Sequence, residues 1–286
     1  MKSKTGAVAV RLGNLGLISM SSPSRVSRIA SATLILALST AVAIAAERPG
    51  AGAKPQCTVS AAAVSAGPWF ERTAARLEQG KPVKIVALGS SSTYGVGASS
   101  SAASYPARLE ALLRERFPNA SLKVLNRGVN GEDAAEMLVR LDRDVIAAKP
   151  DLVLWQVGTN AILHNPVIDG QAALIRLGIE RLKSTGADVV LIEPQYAPAV
   201  ITKPQARRMV ELIRARASEE RVGVLRRFAL MRSWYESRHM SFADFVSPDG
   251  LHLNDWSYDC MARQLAGAID AAAAKATTTT AAIAVD

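Results

Sequence analysis

Five short apolar runs, separated by stretches of helical periodicity, limit this chain to a narrow set of folds. The runs are Val83–Leu88, Leu122–Leu125, Leu152–Val157, Val189–Ile192 and Val222–Leu225. Each is dominated by Val, Ile and Leu without polar alternation, the pattern of strands covered on both faces. Between them, apolar residues recur every three to four positions. Tyr105, Leu109, Leu112 and Leu113 do so ahead of Pro118, and Met137, Leu138, Leu141 and Val145 repeat the pattern. Further helices are predicted around Leu174–Leu182, Met209–Ile213 and Met261–Ile269, with a short one over Trp69–Gln79 ending at Gly80. Strand–helix alternation of this kind predicts a three-layer α/β domain around a mainly parallel sheet.

The first 46 residues stand apart from that pattern. Lys2, Lys4, Arg11, Arg25 and Arg28 precede an apolar run, Ile29–Ala46, with small residues at Ala43 and Ala45. This is the pattern of a secretory signal cleaved near Ala45 or Ala46, and Met20 is an alternative start. The competing reading is a retained membrane anchor, because the run reaches the minimum length for a span. Cleavage predicts a periplasmic or secreted protein with no stable membrane insertion. The expected division is a signal peptide over 1–46, a linker and short helix over 47–81, and the α/β domain over 82–270. A low-complexity tail, 271–286, is expected to fray.

Removing the leader also changes the charge argument. It carries five of the 34 Lys and Arg and none of the 25 Asp and Glu, so the remaining 240 residues sit near +4 rather than +9. That is too mild for a nucleic-acid partner, which calls for a clustered basic face. Arg207, Arg208, Arg214, Arg216, Arg226 and Arg227 do concentrate in one region, and the solvated face of an amphipathic helix accounts for most of them. Both cysteines, Cys57 and Cys260, lie beyond the leader. An even count in an oxidising compartment favours one disulfide over two unrelated buried thiols. Three scattered histidines show no metal-ligand spacing, and no cofactor motif is present.

In an open parallel sheet, ligands collect at the carboxyl ends of the strands. Gly89-Ser90-Ser91-Ser92-Thr93 follows the first predicted strand, Asn130-Gly131 the second, and Gly158-Thr159-Asn160 the third; Asp249-Gly250-Leu251-His252 precedes the last helix. Taken singly, each segment is an ordinary turn or cap. Together they hold every part that acyl transfer needs. Ser91 is the candidate nucleophile and His252 the base that takes its proton. Asp249 is the partner that orients the imidazole. The backbone N–H groups of Ser91 and Gly131 and the side-chain amide of Asn160 are candidate oxyanion donors.

These four segments, in this order, resemble the SGNH hydrolases, also called GDSL esterases and lipases. The resemblance spans roughly Val83 to Ala268. It implies a flavodoxin-like, five-stranded α/β/α sandwich, with Ser91, Gly131, Asn160 and His252 as the four family residues and Asp249 completing the triad. One departure is plain: Ser90 stands where the family carries aspartate, and Ser92 where it carries leucine. Ser90, Tyr94 and His164 are candidates for the pocket lining, although His164 also reads as a surface residue.

The function expected is hydrolysis of short acyl or acetyl esters, small-molecule or glycan, through an acyl-enzyme without metal or cofactor. Two alternatives remain, an O-acyltransferase acting on envelope glycans and a non-catalytic carbohydrate-binding module. No residue pattern specifies an oligomeric state.

Overall fold

The computed structural model of the chain describes residues 55–65, 67–164 and 168–283, so the predicted signal segment lies outside the described residues. Five strands form one sheet: β1 (Val83–Gly89), β2 (Leu122–Gly128), β3 (Leu152–Gln156), β4 (Asp188–Ile192) and β5 (Gly223–Leu225). All neighbours pair in parallel, in the order β2-β1-β3-β4-β5. This is the flavodoxin-like winding, whose order reverses between β1 and β3 and opens a crevice at their carboxyl ends.

The helices, numbered along the chain, begin with α1 (Glu71–Glu78), α2 (Ser91–Tyr94), α3 (Tyr105–Arg116), α4 (Ala134–Val139), α5 (Leu141–Asp144) and α6 (Thr159–His164). They continue with α7 (Gln171–Lys183), α8 (Pro198–Ile201), α9 (Ala206–Glu220), α10 (Arg227–Glu236), α11 (Phe242–Phe245) and α12 (Asp255–Ile283). Successive strand residues point to opposite faces. Ile85 and Ala87 therefore meet Leu109 and Leu113 of α3 and Met261 and Leu265 of α12 on one side. Val86 and Leu88 meet Leu138, Ile179 and Ile213 of α4, α7 and α9 on the other. Two cores explain why the predicted runs are apolar throughout.

Four local expectations differ from what is observed. The described part of the 47–81 segment carries the expected short helix, α1, but the residues ahead of it pack more closely than a linker, with Ala63 and Val64 buried in the first core. Ser65 N donates to Val224 O, and Val64 bridges Leu225 of β5. The tail expected to fray from residue 271 continues α12 to Ile283. Alanine favours a helix already nucleated, and Ala273 is buried against the domain. The single helix expected across Met137–Val145 is two, broken at Arg140, whose side chain turns inward. β2 runs past Leu125 to Gly128, because Asn126 bonds the α2 turn through Thr93 O.

Candidate active site

The turn after β1 is too tight for any side chain at Gly89. A Cβ there would lie 2.2 Å from Thr93 Oγ1 and 2.8 Å from Gln156 Oε1. Ser91 then opens α2, with Thr93 N and Tyr94 N donating to Ser90 O. Position N1 leaves the Ser91 N–H outside the helix ladder, and it has no partner among the described residues. The end of β2 seats against this turn: a Cβ on Gly128 would come within 2.1 Å of Tyr94 N.

His252 reaches the same point from the loop before α12. Its Nε2 lies 2.8 Å from Ser91 Oγ and its Nδ1 lies 2.5 Å from Asp249 Oδ2. The other Asp249 oxygen, Oδ1, accepts from Ser247 Oγ (2.7 Å), Leu251 N (2.9 Å) and His252 N (2.9 Å). Burial works to raise the Asp249 pKa. The bonds from His252, Leu251 and Ser247 outweigh it and hold the carboxyl well below its ordinary range. An ionised carboxylate only accepts, so Nδ1 carries a proton towards Asp249, and in the neutral imidazole Nε2 is then the acceptor that faces Ser91 Oγ. Gly250 at φ +70° supplies the left-handed step inside this loop.

Gly131 has φ +83°, and nothing lies within 4 Å of the place a Cβ would take; backbone conformation, not crowding, favours glycine there. Its N–H has no partner among the described residues. Asn160, at the start of α6, donates through Nδ2 to Glu132 O at 2.7 Å, beside Gly131. One amide hydrogen is thereby fixed and the other remains available.

Beneath these groups runs a buried polar chain absent from the sequence reading. Gln156 Oε1 accepts from Ser90 N (2.9 Å) and Ser90 Oγ (3.1 Å), and Gln156 Nε2 lies 3.5 Å from Thr159 Oγ1. Thr159 Oγ1 donates to Gln195 Oε1 at 3.0 Å, and Gln195 Nε2 donates to Leu251 O at 3.1 Å. Its ends and middle, Ser90, Thr159 and Leu251, each adjoin a candidate site residue. Arg227 anchors the chain, donating to Gln195 Oε1 (2.8 Å) and Glu193 O (2.6 Å). Fully buried, it is no part of the solvated arginine face expected for this region. Burial pushes its pKa down to about 10, against the pull of Tyr258, Tyr105 and Glu193, so it stays a cation at neutral pH.

Ser90 does not line a pocket. It is 1% exposed and spent on Gln156, which takes up the inward bonds of the turn. Tyr94 is 58% exposed at the rim of the turn. His164 is exposed at the end of α6. Cys57 and Cys260 form a disulfide. The signal for Gln156 is visible in hindsight: it is the one polar residue of β3, and a buried polar group needs partners.

The sequence pattern of the non-GDSL lipase-like family matches residues 56–275. The chain belongs to that family. That family is described as non-GDSL, so it supports a lipase-like hydrolase rather than the GDSL subclass that the sequence resemblance implied; Gly89-Ser90-Ser91-Ser92 stands where a GDSL motif would carry Gly-Asp-Ser-Leu. An acetylxylan esterase of Geobacillus stearothermophilus is 26% identical over 115 residues, covering 37% of this chain and 52% of that protein. Among solved structures, a two-domain esterase active on acetylated mannans superposes with TM-score 0.61 at 16% identity, over 72% of this chain and 53% of that one. The acetyl xylan esterase AlAXEase gives TM-score 0.55 at 19% identity, over 65% of this chain and 99% of that one. The chain thus spans about half the length of the first two relatives. The structural likenesses carry the fold.

Proposed function

We propose that this protein is an exported SGNH-type serine esterase that removes acetyl or other short acyl groups from carbohydrate hydroxyls. The observation that carries the reading is the unbroken line Ser91 Oγ–His252–Asp249, at 2.8 and 2.5 Å. Ser91 Oγ attacks the ester carbonyl while His252 Nε2 takes its proton, and Asp249 stabilises the imidazolium. The tetrahedral oxyanion is held by the Ser91 and Gly131 N–H groups and the Asn160 amide. Collapse expels the sugar alkoxide, protonated by His252, and leaves an acetyl-Ser91 ester. Water, deprotonated by His252, then attacks that ester; acetate leaves and Ser91 regains its proton. The acetylated xylans and mannans of the relatives favour a glycan substrate, and the Cys57–Cys260 disulfide fits export with loss of the 1–46 leader.

The test is hydrolysis of p-nitrophenyl acetate and of acetylated xylan by the full chain beside Ser91→Ala. We expect acetate release that falls about 10³-fold or more in the variant. Unchanged turnover in Ser91→Ala overturns the reading. Transfer of acetyl to an added sugar in preference to water replaces it with an acyltransferase.

A further inference from the structure

Arg140 is 6% exposed, yet no step above uses it. Its position interrupts a helix that the apolar pattern would have continued: α4 stops at Val139, α5 starts at Leu141, and Arg140 sits between them at φ −100°, ψ 3°. The side chain turns inward and spends its planar fork on four residues. Nη2 donates to Arg127 O (3.0 Å) and Gly89 O (3.2 Å), joining the carboxyl ends of β2 and β1 two residues before Ser91. Nε donates to Glu132 Oε2 at 2.6 Å, and Nη1 donates to Asp144 Oδ2 at 3.1 Å.

Glu132 is what turns this from a staple into a site component. It follows Gly131 directly, and its carbonyl accepts from Asn160 Nδ2. One guanidinium therefore reaches all three candidate oxyanion donors, Ser91 through Gly89 and Gly131 and Asn160 through Glu132. The opposite end of the Gly131 loop is held separately: Asp133 and Glu136 form a capping box at the start of α4. A buried ion pair is weak grounds for stability, because desolvation consumes much of the attraction. Geometry is the better account: five donors in one plane hold several acceptors at fixed separations, which a lysine cannot.

We propose that Arg140 is a positioning residue that sets the oxyanion hole, holding Gly131 and Asn160 in register with Ser91. This rests on the esterase reading. Both the acylation and the deacylation transition states carry the oxyanion, so kcat senses the alignment whichever step is slower. A displacement near 1 Å costs on the order of 10²-fold in rate. The hole is complementary to the oxyanion, so its misalignment weighs on the transition state more than on ground-state binding.

The experiment measures kcat and KM for p-nitrophenyl acetate with the full chain, its Arg140→Ala, Arg140→Lys, Glu132→Ala and Ser91→Ala variants, and a thermal melt of each. For a folded Arg140→Ala we expect kcat lowered about 10- to 100-fold with KM within about threefold. Arg140→Lys should recover only part of that loss, and added guanidinium at a sub-denaturing concentration should raise kcat of Arg140→Ala but not of wild type. Glu132→Ala cuts only the branch towards Gly131 and Asn160, and should reproduce most of the kcat loss. Wild-type kcat in a folded Arg140→Ala overturns the proposal. So does a loss that guanidinium and Glu132→Ala both fail to echo. Where Arg140→Ala does not fold, Glu132→Ala alone decides: a kcat loss at steady KM supports the proposal and an unchanged kcat overturns it. Turnover surviving in Ser91→Ala overturns the esterase reading itself, a failure distinct from either.

Discussion

Asp249 gathers four hydrogen bonds on two oxygens within a stretch of six residues, and that local saturation keeps it ionised. Its pKa lies below the unfolded value, so the stability it contributes is fully present above the ordinary carboxylate range and is lost as pH falls through its folded value. The stability difference between wild type and Asp249→Asn should therefore be largest at neutral pH and shrink towards zero in strong acid. Chemical denaturation of both proteins across pH checks this. The same variant should lower kcat by about 10⁴-fold, because an asparagine amide can present its N–H to Nδ1 and favour the wrong tautomer. At this scale the sequence was legible where chemistry lies on turns. Ser91, Asp249 and His252 each stand beside glycine or proline that mark a loop, and the structure brings all three together. Gln156, Gln195 and Arg140 carry no such mark. Gln156 shows only as a polar residue in an apolar strand, and the partners that fix all three include groups more than thirty residues away, Ser90 for Gln156, Leu251 for Gln195 and Gly89 for Arg140, which local pattern does not reveal.

The elements deliver these side chains by close backbone approach. Gly97 shows it most sharply: at φ +89°, a Cβ there would lie 2.4 Å from Leu253 O and 3.0 Å from His252 Cβ. The turn after α2 and the loop that carries His252 thus approach closely at a glycine. On the proposed esterase reading, Gly97→Ala should move the His252 loop and lower kcat by at least about tenfold, since a displaced imidazole loses the line to Ser91. Steady-state kinetics beside circular dichroism checks it; a folded variant with wild-type kcat would remove Gly97 from the account. Element existence was readable from periodicity, because burial on one or two faces imposes the period. Element ends were less so. Leu122–Leu125 became Leu122–Gly128 through the bonds of Asn126, and Met137–Val145 became two helices because Arg140 found better partners inside than along the helix.

Across the whole molecule, the disulfide between Cys57 and Cys260 spans 203 residues and ties the N-terminal arm to α12. The same arm is held by Gln264, whose amide bonds Thr58 O and Ser60 N, and by Trp256 Nε1 on Pro55 O. On the chain-entropy account, so long a closed loop contributes up to about 5 kcal/mol. Reduction, or Cys57→Ala with Cys260→Ala, should then lower the melting temperature by roughly 10 °C or more while leaving kcat of the surviving native protein near its original value. Melts with and without reductant check this. The sequence alone determined a three-layer, mainly parallel α/β domain and named the turns that carry Ser91, Gly131, Asn160, Asp249 and His252, because strand burial and turn chemistry are local properties; the flavodoxin-like strand order was implied only by family resemblance. Tertiary structure decided what those residues are fastened to. The Ser90–Gln156–Thr159–Gln195–Leu251 chain and the Arg140 fork exist only once strand ends distant in sequence meet, since a buried polar group takes whichever partner the fold sets within reach.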